Sequence, residues 1–130
     1  MNPHHSRKRV IEAYGYKWDN PKEAERYQYL KLRERAREIR DLEVKPEIRL
    51  TINGIDVGKY TPEFRYFDIA KEESVIEDCK DGYWRKKKQT KRGIVVREWK
   101  ERAMLCAPDW PWRKKVIEAC IGQTITEVWE

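Results

Sequence analysis

Glu63, Asp78 and Lys80 are the residues of this chain whose types and spacing can do chemistry. Asp78 and Lys80 stand two apart in a run of strand composition. The two-residue period of extended backbone therefore puts them on one face with Ser74 and Ile76, and leaves Val75, Glu77 and Cys79 on the other. Glu63 follows Pro62 in the preceding strand-like run, where it shares a face with Arg65, Phe67 and Ile69. The polar stretch Lys71-Glu72-Glu73-Ser74 between the runs predicts a turn, and a paired hairpin would bring Glu63 towards Asp78 and Lys80. Two carboxylates beside one ammonium is the outline of a divalent-metal phosphodiesterase site. In that outline Glu63 and Asp78 hold Mg²⁺ or Mn²⁺, joined by the backbone carbonyl of Cys79, because hard cations take oxygen ligands. Lys80 orients or polarises the attacking water and offsets charge on the transition state. The plain alternative is a surface ion pair between Asp78 and Lys80, since a D-x-K spacing is common.

The elements that must position these groups begin with a helix. Asn20 is its expected N-cap, Pro21 its first residue and Glu23 a first-turn acid, and the helix is predicted to run to about Ile39. Tyr29, Leu32, Ala36 and Ile39 recur at helical spacing as a core stripe, while Glu23, Tyr27 and Leu30 form a second face. Glu23 at the edge of that face is the helix acid that can assist as catalytic residue or metal ligand, and Glu25 is its competitor. For either acid the dipole-favoured first turn is explanation enough. Arg33–Arg40, with alternating signs, reads as a solvated face, and Asp41–Pro46 as the helix exit. Glu47–Ile52 alternates like a strand, and Asn53-Gly54 is a hairpin turn signal.

Downstream of Lys80, residues 81–92 hold six basic residues among aromatics and read as a loop or ragged helix start. Arg85, Lys86, Lys87, Lys88, Lys91 and Arg92 would grip phosphates, with Tyr83 and Trp84 available for stacking; a solvated loop is the bland reading. Val96, Trp99, Ala103 and Cys106 suggest a covering helix over Gly93–Cys106. Trp112–Ile121 follows as a shorter helix with Gly122 as C-cap, and Thr124–Trp129 as a last strand. Trp110, Trp112 and Trp129 are expected to pack. Residues 1–17 read as an arm with at most one helical turn, in which His4 and His5 could bind metal but are more simply idle, and Arg7, Lys8 and Arg9 are either phosphate contacts or a solvated tail. Residues 18–130 form one domain.

Composition narrows the class further. The chain has 130 residues, 40% of them charged, and Lys plus Arg exceed Asp plus Glu by 29 to 23, which favours a polyanionic partner. Three cysteines without a C-x-x-C pair favour neither a disulfide framework nor a zinc or iron–sulfur site, and suggest a reducing cytoplasm. No apolar run approaches the roughly 18 residues of a membrane span, so a soluble, unexported protein is expected.

Three segments carry a family resemblance. Trp18–Tyr27 (WDNPKEAERY), Glu38–Pro46 (EIRDLEVKP) and Glu77–Gly82 (EDCKDG) are similar to segments of a group of small phage-encoded proteins within the PD-(D/E)XK nuclease superfamily. The order of helix Glu23, then Pro62-Glu63, then Asp78-Cys79-Lys80, with the strand acids 15 positions apart, resembles the superfamily's signature. The resemblance spans roughly Trp18–Met104 and selects Glu23 over Glu25. It implies an α/β restriction-endonuclease-like core with an N-terminal helix, a central mixed sheet of about four strands, a C-terminal covering helix and a final strand. It also implies a Mg²⁺-dependent endonuclease similar to phage Holliday junction resolvases, acting as a homodimer on branched or duplex DNA in the host cytoplasm. Two departures stand out: Glu63 replaces the usual aspartate, and Asn20-Pro21 the usual serine. A fold that binds DNA without cutting it, and a phage structural or host-interaction protein using its tryptophans, are the rival readings.

Overall fold

A computed structural model describes residues 11–129, with side chains throughout except those of Ile11, Asp81, Tyr83, Arg102, Met104 and Leu105. His4, His5, Arg7, Lys8 and Arg9 lie outside the described residues. The architecture is mixed α/β, with two helices and mostly strand. In order it runs β1 (Ile11–Ala13), β2 (Tyr16–Trp18), α1 (Pro21–Arg35), β3 (Ile39–Val44), β4 (Ile48–Ile52), β5 (Ile55–Tyr60), β6 (Phe64–Asp68), β7 (Glu73–Lys91), β8 (Ile94–Leu105), α2 (Trp110–Ile121) and β9 (Ile125–Trp129). The main sheet has the order β3-β6-β7-β8, with β9 also bonded to β7, while β1-β2 and β4-β5 are separate hairpins. No helix among the described residues is long and apolar enough to cross a membrane.

The chain divides into two compact units, Met1–Ile48 with Thr61–Glu77 and Arg49–Tyr60 with Asp78–Glu130. In the first, α1 starts where its signals place it. Asn20 is extended at φ −154°, and its Oδ1 accepts the Glu23 N–H at 3.0 Å. Glu23 returns the favour, its Oε2 accepting the Asp19 N–H at 2.9 Å, so two otherwise orphaned donors are satisfied. The helix stops at Arg35, not near Ile39: Arg37 turns left-handed at φ 60°, and Ile39 opens β3. What reads as an exit at Asp41–Pro46 is therefore mostly strand. A bulge between Arg40 and Glu43 interrupts its pairing with β6, and the Leu42 N–H there is taken by Glu34 Oε2 at 3.2 Å.

The helix also buries the face opposite to the expected stripe. Tyr29 is 48% and Leu32 56% exposed, whereas Glu23, Ala24, Tyr27 and Leu30 are buried. The reason is aromatic. Trp18 from the β1–β2 hairpin packs on Tyr27 at 5.3 Å and on Phe64 at 5.9 Å between ring centroids, and Tyr14 and Tyr16 flank Tyr27. Rings of this size dominate the apolar area available, so they choose the face. Residues 11–17 of the expected arm are thus part of a hairpin, which Trp18 completes and through which it reaches the core.

The second unit corrects the C-terminal half. Residues 81–92 are neither loop nor helix, and Gly93–Cys106 is not a covering helix; Asp81–Lys91 of β7 pair antiparallel with Ile94–Leu105 of β8 as a long ribbon. Arg92 and Gly93 close it at φ 54° and 79°, the doubly left-handed turn whose twist suits a hairpin. Val96 and Trp99, expected to be packed, are 56% and 36% exposed. Leu50, Tyr60, Ala103, Trp110, Ile117 and Ile125 form this unit's core. Trp110 packs as expected, but Trp112 and Trp129 are 70% and 42% exposed. The helix α2 ends on Gly122 at φ 72°, and β9 follows as the composition predicts.

Candidate functional site

The residues singled out for chemistry fall into two groups, one in each unit. In the first unit the N-cap turn of α1 delivers Asp19 and Glu23, and Glu63 comes from the segment leading into β6. The three carboxylates offer oxygens that all lie within 4.8 Å of one another. Glu63 is fixed through its backbone: its carbonyl accepts the Lys45 N–H at 2.8 Å and its N–H donates to the Glu77 carbonyl at 3.1 Å. Glu23 is 3% exposed, while Glu25 is exposed. Of the two helix acids, Glu23 is thus the one gathered with Glu63. Three close carboxylates repel one another unless a cation or proton joins them, and an all-oxygen donor set fits a hard divalent ion. Asp19 was not among the expected residues; its signal was an acid directly before the cap in Asp19-Asn20-Pro21.

In the second unit Asp78 and Lys80 share a side of β7, as the strand period requires, with Lys80 Nζ 3.4 Å from Asp78 Oδ2. Asp78 is buried and also accepts the Tyr60 hydroxyl at 2.9 Å. Lys80 Nζ lies 3.9 Å from the centroid of the Trp110 ring, a contact that stabilises an ammonium. Its side chain remains 18% exposed, so the cation is held between a carboxylate and an indole and still reaches water. Tyr60 and Trp110 were missed as site residues because nothing local links position 60 or 110 to position 78.

Glu77, one residue before, is on the other side and serves the core. It is 1% exposed and forms a two-pronged pair with Arg26 of α1, Nε to Oε1 at 2.8 Å and Nη2 to Oε2 at 2.7 Å. The Tyr66 hydroxyl donates to the same carboxylate. Burial, then this hydrogen bond and the carboxylate's charge, push the Tyr66 phenol well above its ordinary range, while the Glu77 hydrogen bond holds Arg26 all the more firmly protonated.

Of the residues expected to touch DNA, Trp84, Arg85, Lys86, Lys88, Lys91 and Arg92 are exposed on the ribbon and Lys87 is half-buried. Arg85 and Lys87 both reach Glu101 across the strand pair, at 2.5 and 3.8 Å. Tyr83 lies on β7, with its side chain outside the described set.

A protein-family model described as "Protein of unknown function (DUF1064)" matches residues 3–106. No curated protein matches. No solved structure matches.

Proposed function

The chain belongs to the DUF1064 family, and from that premise we propose that it is a divalent-metal-dependent DNA endonuclease of the PD-(D/E)XK kind, acting on branched or duplex DNA. The observation that carries the reading is Lys80, an ammonium held 3.4 Å from buried Asp78 and still open to water. A lysine kept only for packing has no need of both. The acid cluster supports it from the first unit, since Asp19, Glu23 and Glu63 make a donor set suited to Mg²⁺ or Mn²⁺.

In this proposal Glu63, together with Glu23 and Asp19, would hold the ion within the first unit. When bound, the ion supplies charge neutralisation at the phosphate and lowers the pKa of water. Lys80 orients the attacking water and stabilises negative charge on the phosphoryl oxygens, and Asp78 keeps the ammonium in place. Tyr60 fixes the Asp78 carboxylate through its hydroxyl. Symmetric cutting of a four-way junction needs two such sites, so the proposal includes a homodimer.

A labelled four-way junction and a linear duplex incubated with the protein are expected to yield nicked product with Mg²⁺ or Mn²⁺ and none with a chelator. Binding of both substrates without product under any divalent ion would instead establish the second reading, a DNA-binding module that keeps the fold. That reading has its own support: Glu23 already caps Asp19, and Tyr60 and Lys80 already occupy Asp78.

A further inference from the structure

The chain's positive charge is concentrated on the β7–β8 ribbon. Residues 84–102 contain nine Lys and Arg against two Glu, whereas the remaining 111 residues contain 20 bases and 21 acids. The whole excess of +6 therefore comes from this one hairpin.

Register divides it into two unlike faces. Arg85, Lys87, Gln89, Arg97, Trp99 and Glu101 share one, where Glu101 answers Arg85 and Lys87, and Arg97 lies over Trp99 at 4.9 Å. Trp84, Lys86, Lys88, Glu98 and Lys100 share the other. There Lys86 stands directly opposite Lys100, and among the described residues Lys86, Lys88 and Lys100 make no ion pair. Like charges directly opposed across an antiparallel pair are destabilising. The arrangement is one that an external polyanion would relieve.

We propose that this face of the ribbon lies in the major groove of duplex DNA, with Lys86, Lys88 and Lys100 on the flanking phosphates. The inference rests on the DNA-substrate reading above but not on its metal chemistry. A two-stranded ribbon fits a B-form major groove, roughly 12 Å wide. The eleven β7 residues from Asp81 to Lys91 that pair with β8 extend about 35 Å at the rise of a strand, close to one turn of the double helix. The A-form major groove of double-stranded RNA is deep and too narrow to take a ribbon, so the proposal is specific to DNA.

The test measures binding of a fluorescent 24-base-pair duplex across a salt series, with a chelator present so that cutting plays no part. In the triple variant Lys86→Gln/Lys88→Gln/Lys100→Gln, three phosphate contacts are lost. Affinity near 0.1 M salt is expected to fall about 100-fold or more, and the slope of log K against log salt to flatten by about 2.7. The triple variant should melt no lower than the natural chain, because the Lys86–Lys100 opposition is gone. A control variant, Arg35→Gln/Arg37→Gln/Lys71→Gln, removes three exposed bases of the first unit and is expected to change affinity by less than about threefold, being outside the contact. Bound protein should protect guanine N7, which faces the major groove, from dimethyl sulfate, and double-stranded RNA of equal length should bind about tenfold more weakly or worse.

If the natural chain binds DNA but the triple variant binds as well as it does, or the control variant loses as much, the ribbon assignment is wrong while the DNA reading stands. Equal affinity for RNA or unprotected N7 overturns the major-groove placement. Failure of the natural chain to bind any duplex at low salt overturns both.

Discussion

Lys80→Ala is expected to lower metal-dependent DNA cutting by about 100- to 1,000-fold while leaving DNA affinity within about twofold. Removing one preorganised donor to a developing oxyanion has an effect of this size because the donor acts mainly in the transition state. Affinity is preserved because the ribbon, carrying nine of the chain's basic residues, supplies the phosphate contacts. A structural role for Lys80 predicts something different. Its ammonium is 3.4 Å from Asp78 and 3.9 Å from the Trp110 ring centroid, so a merely structural loss would lower the melting temperature and binding together. Single-turnover cutting, equilibrium binding and a thermal melt on the same preparation separate the two. Unchanged cutting in the variant contradicts the role given to Lys80.

The second large effect is on stability. Glu77→Ala is expected to destabilise the protein by about 3 kcal/mol, measured as a lowered midpoint of urea unfolding. Breaking a buried ion pair by removing one partner costs about 3–5 kcal/mol, because the remaining charge is left uncompensated. The lower figure applies because the Arg26 side chain is 25% exposed and can turn to water. The Tyr66 hydroxyl loses its acceptor in the same step. Against a typical total of about 5–15 kcal/mol, the loss is a large share. The double variant Arg26→Met/Glu77→Leu removes both charges and is expected to recover most of it, since well-packed apolar replacements of buried pairs are often neutral. A Glu77→Ala midpoint close to that of the natural chain would show that the network does not hold β7 to α1.

Local chemistry was legible in the sequence where one residue type dictates one backbone state. Asn20-Pro21 places the start of α1, Asn53-Gly54 closes β4 on β5, and Gly122 ends α2. The alternation that sets Asp78 and Lys80 on one side of a strand also holds. The ribbon was not legible because its turn is Arg92-Gly93, in which a long basic side chain occupies a left-handed position that asparagine or aspartate usually announces. Val96, Trp99 and Ala103 meanwhile fall at helical spacing by coincidence, and the bulge that skips Val96 breaks the strand alternation just there. The buried face of α1 was misread because Tyr29 and Leu32 are as apolar as Tyr27 and Leu30, so only the placement of Trp18 and Phe64 decides between the faces. Asp19, Tyr60 and Trp110 were invisible as site residues, since each acquires its place through contacts distant in sequence.

The central proposal is that carboxylates from the α1 cap and from the segment leading into β6 hold a divalent ion. A crystal of the protein soaked in Mn²⁺ and measured at the manganese edge locates such an ion without reference to activity. An anomalous peak is expected about 2.0–2.3 Å from carboxylate oxygens of both Glu23 and Glu63, lost in Glu63→Gln. A peak bound only at other acids, or none at millimolar Mn²⁺, would contradict it.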